Sequence, residues 1–151
     1  SGYFNIKGSE EPNPGVKSPP STRPFSALPL LSSMRYQGMS MVIERLRKPL
    51  QAIKKLSEML KSDNDIELCH DPDTGILCFR IILPEFPESK LDSLQKYIYS
   101  RIMAEGKRSI SITSLGTKTV LRLLAISPGV TFEALMETMS EIRRQAGNYE
   151  T

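Results

Sequence analysis

The sequence predicts an α+β fold, a small antiparallel sheet with helices packed on one face, and two observations predict it. From Ile66 onward the β-prone runs and amphipathic stretches follow in the order strand, strand, helix, strand, strand, helix. Within each pair of strands only a turn-forming segment intervenes, which makes two hairpins. The composition, 39% hydrophobic and 25% charged over 151 residues, suits one domain of ordinary globular type.

Residues 1–36 hold Pro12, Pro14, Pro19, Pro20, Pro24 and Pro29, six of the eleven prolines, and show no sustained apolar period. This stretch is expected to be irregular and unable to build a core. The chain starts at Ser1 without an initiator Met, so it reads as a piece or processed product whose coreless start rests on other protein.

A connecting helix is expected over 37–62. Ile43, Leu46, Leu50, Ile53, Leu56 and Leu60 recur at steps of three and four, with charged residues between them. Pro49 falls inside this period and removes the hydrogen bond to the Arg45 carbonyl, which predicts a kink or a break.

Residues 63–151 form the predicted small domain. Ile66 to His70 and Ile76 to Leu83 flank the turn Asp71 to Gly75. Leu91, Leu94, Ile98 and Ile102 mark a helix closed by Gly106. Ser109 to Ser114 alternates isoleucines with hydroxyl residues, and Gly116 turns it into Thr119 to Ile126. Thr131 can cap a last helix with Phe132, Leu135, Met139 and Ile142 on its inner face and Arg143 and Arg144 near its negative end.

Charge narrows the function. Lys and Arg number 20 against 17 Asp and Glu, interleaved along the chain, so nucleic acid is not an expected partner. Neither a bilayer-spanning apolar run of roughly 18 to 20 residues nor a signal-peptide pattern is present, which leaves a cytoplasmic protein without a membrane partner as the expectation. Cys69 and Cys78 read as reduced, packed thiols, lacking the spacing of a redox pair or the further ligands of a zinc site. His70, the only histidine, stands in the turn beside Asp71 and reads as structural or solvated; no metal site is expected.

The chemistry-bearing candidates are few. Arg122 lies in TKTVLRLLAI, where both faces of the strand are apolar, and an unpaired buried guanidinium would cost several kcal/mol. It therefore needs an anion, either a protein carboxylate or a substrate carboxylate held by a bidentate clamp. Arg80 in ILCFRIIL poses the same question, answered more simply by an ion pair or a snorkelled edge position. Tyr3, in SGYF at the head of the irregular segment, is an ordinary loop tyrosine unless the loop closes over a reacting centre and makes its phenol a proton donor.

Several segments in order resemble the group II pyridoxal phosphate-dependent amino-acid decarboxylases, the glutamate, cysteine sulfinate, 2,4-diaminobutyrate and aromatic amino-acid enzymes. They are SGYF, then Gly15, Val16 and Lys17, then Ser21, Thr22 and Arg23 with the helix after Gly38, then GILCFRI, LDSLQKYIYSRIMAEG and TVLRLLAISPGVT. The resemblance covers essentially the whole chain and implies the C-terminal part of a fold-type I enzyme of amino-acid metabolism, its small domain a β-β-α-β-β-α two-layer sandwich. It implies that Tyr3 is the catalytic-loop tyrosine that protonates the substrate's α-carbon after carbon dioxide leaves. Arg122 becomes the arginine that contacts the substrate carboxylate, and Thr22 and Arg23 reach the active site of the neighbouring protomer. The cofactor pyridoxal 5'-phosphate and its lysine belong to the upstream portion, so no lysine here is nominated and the chain alone is expected to be inactive. Its implied partners are that upstream portion or chain, a second copy of the complete enzyme in a homodimer, and an amino-acid substrate. The rival reading is a non-enzymatic α+β module that binds a small anion or a protein partner.

Overall fold

A computed structural model describes residues 24–83 and 86–149. They divide into two compact units, the described residues up to 39 and those from 40 onward. The first contains helix α1, Ala27–Gln37. This corrects the expectation of an irregular stretch through residue 36. Pro24 precedes the helix, and Pro29 stands in its first turn, where backbone N–H groups have no intrahelical acceptor to lose. Gly38, at φ 79°, ends it and donates its N–H to the Met34 carbonyl. None of its residues is buried; Phe25 just before it and Tyr36 within it are 74% and 93% exposed.

Helix α2 spans Met39–Leu60 and runs through Pro49, so of the expected kink or break the break is absent. Its stripe of Pro49, Ala52, Ile53, Leu56 and Leu60 is buried, and the leucines and Ile53 reach zero exposure.

From Ile66 onward the elements keep the predicted order. Strands β1 (Ile66–Leu68) and β2 (Ile76–Ile81) form the first hairpin, and helix α3 (Glu88–Glu105) follows. Strands β3 (Ser111–Leu115) and β4 (Lys118–Leu124) form the second, and helix α4 (Phe132–Gly147) closes the fold. All strand pairs are antiparallel and the spatial order is β1-β2-β4-β3. Gly106, at φ 67°, ends α3, and the Thr131 hydroxyl accepts the Ala134 N–H at the start of α4. The β3–β4 turn contains two residues, with positive φ only at Gly116, the pattern of a type II′ hairpin.

One hydrophobic cluster unites Ile53 and Leu56 of α2, Leu77 and Phe79 of β2, Leu94 and Ile98 of α3, Leu121 and Leu123 of β4, and Met139 and Ile142 of α4. Each fully buried aliphatic side chain here contributes about 1.5–3 kcal/mol. The strand period of two sends Leu121 and Leu123 into this cluster, so Arg122 between them takes the opposite face of the sheet.

The ladder between β2 and β4 stops at Phe79 and Leu121. Ile81 and Thr119 would form its next rung, but α3 intervenes. The Gln95 side chain accepts the Ile81 N–H at 3.0 Å and donates to the Ile81 carbonyl at 2.8 Å, while Asp92 accepts the Thr119 N–H at 2.8 Å. Gln95 is completely buried, and its second amide proton goes to the Leu91 carbonyl.

Candidate functional site

Register assembles a polar row across the sheet. Arg122 of β4 lies directly opposite Cys78 of β2 on one side and Ser111 of β3 on the other. Residues paired this way point to the same face. Cys69 extends the row, since its N–H donates to the Cys78 carbonyl one position beyond the β1–β2 rungs.

Within this row Arg122 is half-buried, and its Nε donates to Ser111 Oγ at 2.9 Å. The hydroxyl donates in turn to the Arg122 carbonyl at 3.2 Å. Among the described residues no carboxylate lies within ion-pairing distance of its guanidinium. A protein ion pair, one of the two anions the sequence left open, is thus absent among those residues.

Arg80 is the contrast. It is 1% exposed, and Nη1 donates to Glu88 Oε1 at 2.6 Å and Nη2 to Asp92 Oδ1 at 3.1 Å, with Glu67 at 3.6 Å. The ion pair expected from sequence is therefore a buried cation among three solvent-accessible carboxylates. Lys118 adds a second cation, donating to Glu67 at 2.6 Å. The Thr119 backbone N–H, more than Arg80, holds the Asp92 carboxyl below the usual carboxylate range, and the hydrogen bond from Arg80 does the same for Glu88.

Both cysteines are free thiols. Burial pushes both above the ordinary thiol range, and the Arg122 charge partly offsets this at Cys78. They are poor nucleophiles in this state. His70 sits where a structural histidine should: Nε2 accepts the Cys78 N–H at 3.2 Å and Nδ1 lies 3.0 Å from the Asp71 carbonyl. The pair of contacts requires the Nδ1–H tautomer. Among the described residues no group of His, Cys, Asp and Glu could hold a metal ion.

Tyr3, Thr22 and Arg23 lie outside the described residues, so Arg122 is the one predicted site residue with described geometry. Every described lysine is exposed. Sequence reasoning missed Ser111, although a signal existed. A two-residue turn pairing Leu115 with Lys118 fixes the register and places Ser111 opposite Arg122.

No family model matches the chain. An L-2,4-diaminobutyrate decarboxylase of Acinetobacter baumannii is 24% identical over 147 residues, 95% of this chain and 29% of the relative. An aromatic-L-amino-acid decarboxylase of Bacillus atrophaeus is 26% identical over 126 residues, 83% of this chain and 26% of the relative. A phenylacetaldehyde synthase of Arabidopsis thaliana is 24% identical over 86% of this chain and 26% of its own length. The chain thus spans less than a third of the curated relatives it matches.

Among solved structures, mouse CSAD in apo form matches with a TM-score of 0.78 at 19% identity, over 89% of this chain and 30% of that one. The Oryza sativa TDC structure with PLP and tryptamine matches at 0.74 and 21% identity, over 83% of this chain and 27% of that one. A likeness of fold does not by itself choose a reaction. Sequence and fold agree, however, on one group. The chain is similar, in both, to the C-terminal part of the group II pyridoxal phosphate-dependent amino-acid decarboxylases, the family its motifs resemble.

Proposed function

We propose that this chain is the C-terminal portion of a pyridoxal phosphate-dependent L-amino-acid decarboxylase, a carboxy-lyase that releases carbon dioxide and yields an amine, active only with its upstream portion. The observation that carries this reading is Arg122, a strand guanidinium without a carboxylate partner among the described residues, within the TVLRLLAISPGVT segment that carries the resemblance. Arg122 grips a carboxylate of the amino-acid substrate through its Nη groups. Tyr3, on its loop, delivers a proton to the α-carbon after carbon dioxide leaves, and closure of that loop keeps water out. Pyridoxal phosphate, when bound, would supply the electron sink for the electron pair left on the α-carbon as carbon dioxide departs.

The same proposal takes residues 1–36 as the segment resting on the large domain or the neighbouring protomer, 37–62 as the connecting helix and 63–151 as the small domain. Thr22 and Arg23 would reach the neighbouring protomer's active site in a homodimer. A cytoplasmic setting belongs with it, supported by the two unpaired thiols. The exposed apolar residues of α1 support the need for further protein.

The test is to combine the chain with its upstream cofactor-binding portion and measure carbon dioxide release from amino acids. Arg122→Ala should raise KM about 10- to 100-fold, the value of a charge-assisted hydrogen-bonded pair. Arg122→Lys should recover only part of this, because lysine keeps the charge and loses the fork. A folded, cofactor-loaded complex that releases no carbon dioxide would sink the reading. Product analysis addresses a second possibility raised by the aldehyde synthases among the relatives. A proton-donating Tyr3 predicts the amine; aldehyde as main product would assign the chain to the other activity.

A further inference from the structure

We infer that Ser111 is a positioning residue for Arg122, fixing which edge of the guanidinium is offered to a substrate carboxylate. This deepens the decarboxylase reading and rests on it. An arginine can hold a carboxylate side-on, through Nε and one Nη, or end-on, through both Nη groups. In this structure the side-on edge is taken. Nε donates to Ser111 Oγ at 2.9 Å, and the same hydroxyl spends its proton on the Arg122 carbonyl at 3.2 Å.

The reciprocal bonds tie the tip of a long side chain to its own backbone through one neighbour, which removes much of the rotamer freedom the arginine would otherwise lose on binding. Cys78, on the opposite flank, is a weak hydrogen-bond partner and does not compete for the guanidinium. Both Nη groups are left without a described acceptor, so the end-on edge is the one presented. Ser111 is held to this task by register. The two-residue turn at Gly116 and Thr117 sets every rung of the β3–β4 hairpin and puts the hydroxyl opposite Arg122.

The experiment uses the complete enzyme with its upstream cofactor-binding portion and compares Ser111→Thr with Ser111→Val, side chains of one shape that differ by a hydroxyl. Ser111→Thr should keep KM for the amino acid within about twofold of the parent, while Ser111→Val raises it roughly three- to tenfold with kcat nearly unchanged, the worth of one hydrogen bond. In an Arg122→Ala background, Ser111→Val should have no further effect on KM, because the serine acts only through the arginine.

Equal KM for the Thr and Val variants, alongside a raised KM for Arg122→Ala, would overturn the role of Ser111 and leave the carboxylate clamp standing. A Val effect that persists in the Arg122→Ala background would overturn it too. If Arg122→Ala leaves KM unchanged, the clamp itself fails and the inference falls with it. Should Ser111→Val give little folded enzyme, Ser111→Ala takes its place in the same comparison.

Discussion

Arg80 and Arg122 stand on neighbouring strands, two residues apart in register, yet their surroundings assign them different work. Arg80 is enclosed by Glu67, Glu88 and Asp92, and its charge is spent inside the domain. Replacing it with alanine leaves Glu88 and Asp92 without this cation, while Glu67 keeps Lys118, and opens a void beneath them. Because those carboxylates keep some water, Arg80→Ala should cost about 3 kcal/mol, at the low end for a broken buried pair, measured as a lower urea midpoint. The same cluster predicts a pH response. Asp92 is depressed in the folded state, so its contribution is present above the unfolded value of about 4 and lost as pH falls through the lower folded value. Stability should decline from about pH 4 downward, and Asp92→Asn should flatten that decline in urea titrations at stepped pH. Arg122 takes no part in this network.

At the scale of elements, turns and termini dominate. Gly75 approaches β4 so closely that an added Cβ would lie 2.4 Å from the Ala125 carbonyl oxygen, and its own carbonyl accepts the Ala125 N–H at 2.7 Å. Gly75→Ala must push two strands apart and should lower stability by about 1–3 kcal/mol, read by thermal melting. Both hairpins, α3, α4 and the Thr131 cap were legible in the sequence because period, Gly and cap residues all agree there. Helix α1 was not. Pro29 within it and Pro24 before it read as breakers, and its apolar residues form no buried stripe. The continuity of α2 through Pro49 was not legible for a related reason: buried packing along Ala52, Ile53, Leu56 and Leu60 outweighs the hydrogen bond that Pro49 removes. Arg80 was legible as an ion pair, but not with which partners. Glu88 and Asp92 arrive from the next helix, and single-strand patterning says nothing about what a later element brings.

For the whole molecule, the contrast between its two units is the informative feature. The unit from residue 40 onward carries the shared core but also exposes Met41 and, of the expected apolar stripe of α2, Ile43, Leu46 and Leu50. Helix α1 buries none of its residues and with its flank exposes Phe25, Leu28, Leu30, Leu31 and Tyr36. The isolated chain should therefore bind a hydrophobic dye, and addition of the upstream portion should suppress that fluorescence; a Leu30→Ser, Tyr36→Ser variant should bind less dye alone. The end of the sheet where α3 replaces the last β2–β4 rung has a further consequence. A seam stitched by the side chains of a helix cannot open while that helix stays docked, so helix and sheet melt together. Native-state hydrogen exchange should show the Ile81 and Thr119 amide protons leaving in step with those of α3. Gln95→Leu, by stranding a buried N–H and C=O, should release Ile81 early at a cost on the order of 3 kcal/mol.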